Sequence, residues 1–379
     1  MLSGIRTFVR LVRRFLSLPR CYVSLVNWKE CARSRPGVAS DLLYIFFRLR
    51  CFPDHYSPCR LDEKPREDWH GYYGSNYGPI PRERLQREVQ PPGYRAIFND
   101  KVLCEVVSRG LGVPLPRYLG ELRPSDDCVA RVTAMLAQES APRKIIIKPV
   151  TGSAGRGIVA AYRDDSGIVV DTGKAVIPLS RYRPEEPAIV QEFVPQHPAI
   201  SAIAPRPVNT IRVLTLCTRS GEILVLSSSM RFGVGSATVD NWSAGGVAVG
   251  VDHRTGRLMD TAWYKDGTRC HAHPDTGFRF EGFQVPFWDE VLALAKRVQR
   301  GLAFYRLIGI DVALTPAGPV LIEMNARPDF VFQEQTAGPL LRDPRVLQAF
   351  GEYGLLYNGP QRRLLRQHLR TAGAVTPAA

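Results

Sequence analysis

Apolar positions recur with two different periods along this chain. In the first sixteen residues Leu2, Ile5, Phe8, Val9, Val12, Phe15 and Leu16 fall three or four apart, with Arg6, Arg10, Arg13 and Arg14 between them. That spacing predicts an amphipathic helix with a basic face. Arginine every few residues leaves no secretory core, and no run of about 18 apolar residues exists, so neither a signal peptide nor a membrane span is expected. The apolar segment 41–52 predicts a buried helix or strand. Gly, Tyr and Pro crowd residues 70–81, and Gln90-Pro-Pro-Gly-Tyr94 punctuates their end. A helix is predicted from Asn99–Asp100, with Asn99 as N-cap, to about Arg109, where Gly110-Leu-Gly112 stops it.

From about residue 143 the pattern becomes strand-like. KIIIKPV (144–150), GIVAAY (157–162), AIVQEFV (188–194), TIRVLTLCT (210–218), EILVLSSSMRF (222–232), GIDVALT (309–315) and PVLIEMNA (319–326) read as strands. Residues 286–306 keep a helical spacing. The sum is an α+β chain rich in antiparallel hairpins, ending in a polar tail.

Charge changes this picture less than its size suggests. The chain carries 50 Lys+Arg against 36 Asp+Glu, a net charge of +14. Residues 1–50 hold +8 of it and residues 355–379 hold +4, so the body is nearly balanced. No basic groove runs through the protein, and no aromatics interleave with basic residues to stack bases, so no nucleic-acid partner is expected. The basic N-terminal helix has two readings: contact with an anionic membrane face, or docking on its own domain with the arginines outward. Eight cysteines are scattered without a C-x-x-C, which predicts reduced thiols in a cytoplasmic protein. Cys270-His-Ala-His273 lacks a second ligand pair and reads as a loop.

Two constellations carry candidate chemistry. Lys148 ends a strand, and Thr151-Gly152-Ser153-Ala154-Gly155-Arg156-Gly157 follows at once, then another strand. Three glycines in six residues let backbone N–H groups approach an anion. A Rossmann loop would open a helix and a Walker loop would end in Gly-Lys-Ser/Thr; neither is present. A Gly-rich hairpin covering phosphates remains, beside the plainer reading of an exposed turn. In the second, the hairpin around Thr315-Pro-Ala-Gly318 pairs positions summing to about 634. Asp311 then faces Glu323, with Asn325 on the same face. Facing carboxylates repel unless neutralised, and a hard divalent cation does this. Arg212 and Arg231 lie in neighbouring strands, where forked donors suit an oxyanion or phosphate.

The order of strand lysine, Gly-rich loop, Gln191-Glu192-Phe193-Val194 strand and Asp…Glu-x-Asn hairpin resembles the ATP-grasp superfamily over roughly 95–345. Asn99-Asp100-Lys101 resembles the start of its first subdomain. Asn209-Thr-Ile-Arg212, the Asn241-Trp-Ser-Ala-Gly-Gly loop and the Glu323-Met-Asn-Ala-Arg-Pro-Asp329 run resemble more closely the sugar-transfer associated ATP-grasp group. Glutamate ligases that modify ribosomal proteins are more distant relatives.

The resemblance implies two α+β subdomains gripping ATP (about 140–195 and 196–345, within a domain 96–345). A basic extension (1–95) precedes them and a C-terminal helix and tail (346–379) follow. It implies ATP contacts from Lys101, Lys148, Thr151, Gly152, Ser153, Gly155, Gly157, Gln191, Glu192, Phe193 and Val194. Mg²⁺, or Mn²⁺, would be held by Asp311, Glu323 and Asn325. Arg212, Lys148 and Arg327 would serve catalysis, and Arg231 and Asn241 the substrate loop. Many such ligases place an acid after the adenine strand for the ribose, whereas Pro195-Gln196-His197-Pro198 has none. The implied reaction activates a carboxylate as an acyl phosphate for attack by an amine, in polysaccharide or cell-surface sugar synthesis. The alternatives are phosphoryl transfer to a hydroxyl and a non-catalytic ATP-binding scaffold.

Overall fold

The strand-like segments sort into two antiparallel sheets in a computed structural model, which describes residues 2–75, 85, 87–137, 143–152, 155–235, 242 and 245–374. The N-terminal region supplies helices α1 (Leu2–Leu16), α2 (Leu18–Ser24) and α3 (Arg35–Phe47), and α4 (Lys101–Gly110) leads into the first sheet. That sheet comprises β1 (Tyr118–Leu122), β2 (Lys144–Pro149), β3 (Val159–Asp164), β4 (Gly167–Asp171), β5 (Val176–Pro178) and β6 (Ala188–Glu192), in the order β1-β6-β2-β3-β4-β5. Helix α5 (Cys128–Leu136) closes its core, burying Val132 against Ile145, Ile147 and Val190.

The second sheet comprises β7 (Thr210–Cys217), β8 (Ile223–Phe232), β9 (Val247–Val251), β10 (Leu258–Trp263), β11 (Arg269–Cys270), β12 (Leu307–Thr315) and β13 (Gly318–Asn325), in the order β11-β10-β9-β8-β7-β12-β13. β12 is buried along its whole length, which is why its sequence is continuously apolar apart from Asp311 and its terminal Thr315. On one face, Val213, Ile308 and Ile310 pack under α6 (Trp288–Gly301). On the other, Leu214, Leu216 and Leu307 lie under a layer built from both chain ends: Leu42, Ile45 and Trp69 with α7 (Phe330–Ala337), α8 (Pro344–Glu352) and the segment to Tyr357. Helix α9 (Gly359–Ala374) follows.

Buried polar bonds lock this layer. The Glu334 carboxylate accepts the backbone N–H groups of Tyr73, Gly74 and Leu340, at 2.6, 3.0 and 3.3 Å. Tyr357 donates its hydroxyl to the Tyr73 carbonyl, and Asn358 donates to the Leu49 carbonyl at 2.9 Å.

Some boundaries differ from the sequence reading. Asp100, not Asn99, caps α4: its Oδ1 accepts from the N–H groups of Val102 and Leu103, while Asn99 ends a separate helical turn. The helix expected over 286–306 starts at Trp288, after Phe287 in a left-handed conformation (φ 55°), and ends at Gly301. β4, β5 and β9 to β11 are short and lacked a readable period. The apolar stripe of α1 is largely exposed: Phe8 and Leu16 are 65% and 69% exposed, while Phe15 meets Phe46 and Phe47. Among the described residues no helix is long and apolar enough to cross a membrane. All eight cysteines are free thiols, six of them buried. His273 is buried with Nε2 3.0 Å from the Gly233 carbonyl.

Candidate active site

A β-bulge sets the geometry of the site. From the tight turn at Pro316–Ala317, the β12–β13 hairpin pairs Thr315 with Gly318 and Val312 with Leu321. Continued without a break, that register would set Asp311 opposite Ile322. The register shifts there, Ile322 is the extra residue, and Asp311 faces Glu323 while Gly309 faces Asn325. Glu323 and Asn325 are thereby turned onto the face that carries Asp311.

Across the other edge of β12, Asp311 pairs with Arg212 of β7. The Arg212 fork holds the Asp311 carboxylate through Nε and, at 2.8 Å, through Nη2; Arg231 adds a bond from its Nη2 at 3.0 Å. Gly309 leaves room for this fork, since a Cβ there would stand 3.3 Å from Arg212 Cδ and 3.0 Å from Pro328 Cβ. Burial pushes the Asp311 carboxyl up, but the two guanidinium groups outweigh it and hold it below its ordinary value. Glu323 is raised, first by burial and then by the Asp311 charge. The expectation that the facing acids need a cation is thus met on one side by arginine. The oxygens of this set still suit a hard divalent ion, with Glu323 half-buried beside two lysines, while the buried Asn325 Nδ2, without a hydrogen-bond partner among the described residues, is a donor that suits a phosphate oxygen.

The two sheets meet at a cleft of about 70 Å³, lined by Lys101, Lys148, Gln191, Ile158, Leu321 and Glu323. Strand alternation aims Lys148 into it, and a relay fixes the ammonium. Lys148 donates to Gln191 Oε1 (3.0 Å), the Gln191 amide donates to Glu105 (2.9 Å), and Arg109 donates to the other Glu105 oxygen (2.9 Å). Burial lowers Lys148 below the usual lysine value. Lys101 reaches the Gly152 carbonyl at 3.3 Å, tying the first turn of α4 to the Gly-rich loop.

That loop joins β2 to β3, as the sequence predicts. Gly152, Gly155 and Gly157 adopt φ of 121°, 70° and 72°, where side chains are strained, and a Cβ on Gly157 would come within 2.8 Å of Pro149. Thr151 is turned outward, donating to Glu186 at 2.9 Å. Ser153 and Asn241 lie outside the described residues.

Other expected residues are placed elsewhere. The Glu192 carboxylate accepts the Arg117 backbone N–H at 3.0 Å, and the Phe193 ring carries Lys144 Nζ 4.5 Å from its centroid. Val194 is buried. Arg327 is exposed, and its pKa is lowered by burial and by Arg95. Arg95 holds Nε and Nη2 buried without a hydrogen-bond partner among the described residues. Glu105 and Arg95 escaped the sequence reading, which quoted Asp329 only as the end of a motif. Each sits in a stretch whose spacing reports only a helix or a turn.

A sequence model described as sugar-transfer associated ATP-grasp matches residues 81–349. No curated protein matches the chain. Several solved structures are similar. N5-carboxyaminoimidazole ribonucleotide synthetase in its ADP complex shares 14% identity over 69% of this chain and 54% of that one, with a TM-score of 0.38. Phosphoribosylamine–glycine ligase from Thermotoga maritima shares 11%, over 70% and 57%, at 0.41. D-alanine–D-alanine ligase from Bacillus anthracis shares 12%, over 73% and 68%, at 0.36. The chain spans about half the length of the first of these. The family match takes in most of the sequence, both sheets and the hairpin with its facing acids, so the chain belongs to the sugar-transfer associated ATP-grasp family.

Proposed function

We propose that the protein is an ATP- and Mg²⁺-dependent ligase. It activates a carboxylate as an acyl phosphate for attack by an amine, in the assembly of polysaccharide or cell-surface sugars. The observation that carries this reading is convergence. Lys101, Lys148 and Glu323 line one cleft between the sheets, and the Asp311–Arg212–Arg231 cluster adjoins Glu323. Phosphoryl transfer asks for charge neutralisation and alignment rather than a protein nucleophile.

Lys148, oriented by Gln191, and Lys101 take the α- and β-phosphates, and the Gly152–Gly157 loop closes over the β- and γ-phosphates. The β6 strand through Val194 flanks the adenine. Glu323 and Asn325, joined by Asp311, hold the divalent ion, which when bound screens the phosphate oxygens. Arg212 and Arg231 face the charge that develops between the γ-phosphate and the carboxylate. Arg327 stands at the acyl-phosphate end.

Glu323→Gln tests the assignment. It removes a carboxylate that burial and Asp311 already disfavour, so the melting temperature should hold or rise while Mg²⁺-dependent phosphate release from ATP is lost. Unchanged turnover would show the metal assignment to be wrong. The products separate ligase from kinase: an amide with ADP and phosphate, or a stable phospho-ester.

The cytoplasmic face of a membrane is the proposed location. The exposed Phe8 and Leu16 of α1 lie among the exposed Arg10 and Arg13, a combination suited to an anionic lipid surface. Phe8→Glu with Leu16→Glu changes only exposed positions, so it should release the protein from vesicles containing phosphatidylserine and leave ATP affinity as it was. Retention on the vesicles would rule out α1 as the anchor.

A further inference from the structure

A second cavity, of about 820 Å³, opens between the α1–α2 segment, the turn after β10 and the start of α7. Ligand pockets run from about 300 to 1,000 Å³, and this one is far roomier than the cleft between the sheets. Its wall carries charges of both signs. Arg14, Arg20 and Lys265 contribute cations; Asp54, Asp266 and Asp329 contribute carboxylates.

Asp54 is the feature that asks for a ligand. Its side chain is 11% exposed, its Oδ1 is buried without a hydrogen-bond partner among the described residues, and His55 Nδ1 stands off at 3.8 Å. Burying part of a carboxylate without a donor is costly, and an ammonium meeting its exposed edge from the cavity offsets that cost. The cavity also adjoins the reaction centre. The segment after β13 joins the two: Pro328 and the Arg212 stem both flank Gly309, at 3.0 and 3.3 Å from where its Cβ would stand, and Asp329, the next residue, lines the cavity.

We propose that this cavity is the acceptor site, that Asp54 grips the primary amine of the incoming substrate, and that Arg14 and Arg20 hold an anionic group on the same molecule. The proposal rests on the ligase reading and names its second substrate class: an amine that carries an anion. In the transfer step the ammonium gives one proton to Asp54. The freed nitrogen attacks the acyl carbon, the C–N bond forms, and the C–O bond to phosphate breaks with its electron pair going to phosphate. A second nitrogen proton leaves with the phosphate as hydrogen phosphate.

The test uses the full chain and three probes: glucosamine 6-phosphate, glucose 6-phosphate and glucosamine, titrated by calorimetry. Wild type should bind the first at least tenfold more tightly than either other, since each lacks one of the two groups. Asp54→Asn, nearly isosteric, should erase the preference over glucose 6-phosphate. Arg20→Glu, an exposed position, should erase the preference over glucosamine. Equal binding of the three probes by wild type, or preferences that survive these substitutions in folded variants, would overturn the proposal. ATP titrated separately keeps the readings apart. Failure to bind ATP defeats the ligase reading, whereas ATP binding without probe selectivity defeats only the acceptor site.

Discussion

Asp311 shows how one side chain is shared between structure and chemistry. It is 3% exposed and bonded by two arginines, so the carboxylate is ionised and both its oxygens are engaged. Removing one partner of such a buried group leaves charge uncompensated, at a cost of about 1.5–3 kcal/mol for a charged hydrogen bond. Lys148 has the complementary situation. Its amide relay orients an ammonium that burial makes easier to neutralise, and an anion in the cleft offsets that burial. Lys148→Ala should weaken ATP binding by about 1.5–3 kcal/mol and leave the melting temperature little changed. Calorimetric titration checks this, and wild-type affinity in the variant would remove Lys148 from the site.

At the scale of elements, the hairpin was legible as a hairpin and its facing acids were legible as a pair. The acid pairing needs the bulge at Ile322, which the spacing of apolar residues does not reveal because Leu321 and Ile322 are both apolar. The Gly-rich loop was equally plain, since three left-handed residues in six demand glycine. What stayed hidden is long-range. The Lys148–Gln191–Glu105–Arg109 relay joins α4, β2 and β6, and local periodicity carries no record of it. Gly309 tests how tightly this part is built. Gly309→Ala puts a methyl 3.0 Å from Pro328 Cβ and 3.3 Å from Arg212 Cδ, an overpacking of about 1–3 kcal/mol. Because the Arg212 fork must shift, turnover should fall more steeply than stability. Equal losses would mean the methyl acts on packing alone.

Over the whole molecule, the two chain ends form one layer on the site-bearing sheet, and Glu334 fastens it. Burial raises the Glu334 carboxyl from 4.5 to about 8. The folded state therefore binds this proton more tightly than the unfolded chain does. The stability tied to it is present below 4.5 and drains away as pH climbs to about 8. Melting temperature should carry this downward slope in wild type. Glu334→Gln should be less stable throughout, because its amide nitrogen cannot accept the N–H that a carboxyl oxygen accepts in either protonation state, and its profile should be flatter. Identical slopes would move the titration to another group.

The bulge at Ile322 also has a meaning for comparing chains by sequence. It acts as an indel that sets the phase of a strand. Delete one residue between Leu321 and Glu323, and every letter of the Glu-x-Asn motif survives while both side chains turn to the opposite face, towards α6. A homologue that keeps the motif but shortens the interval from its aspartate by one would carry the same letters without the facing acids. Alignments of this region should therefore count the twelve positions from Asp311 to Glu323 before crediting the letters at either end.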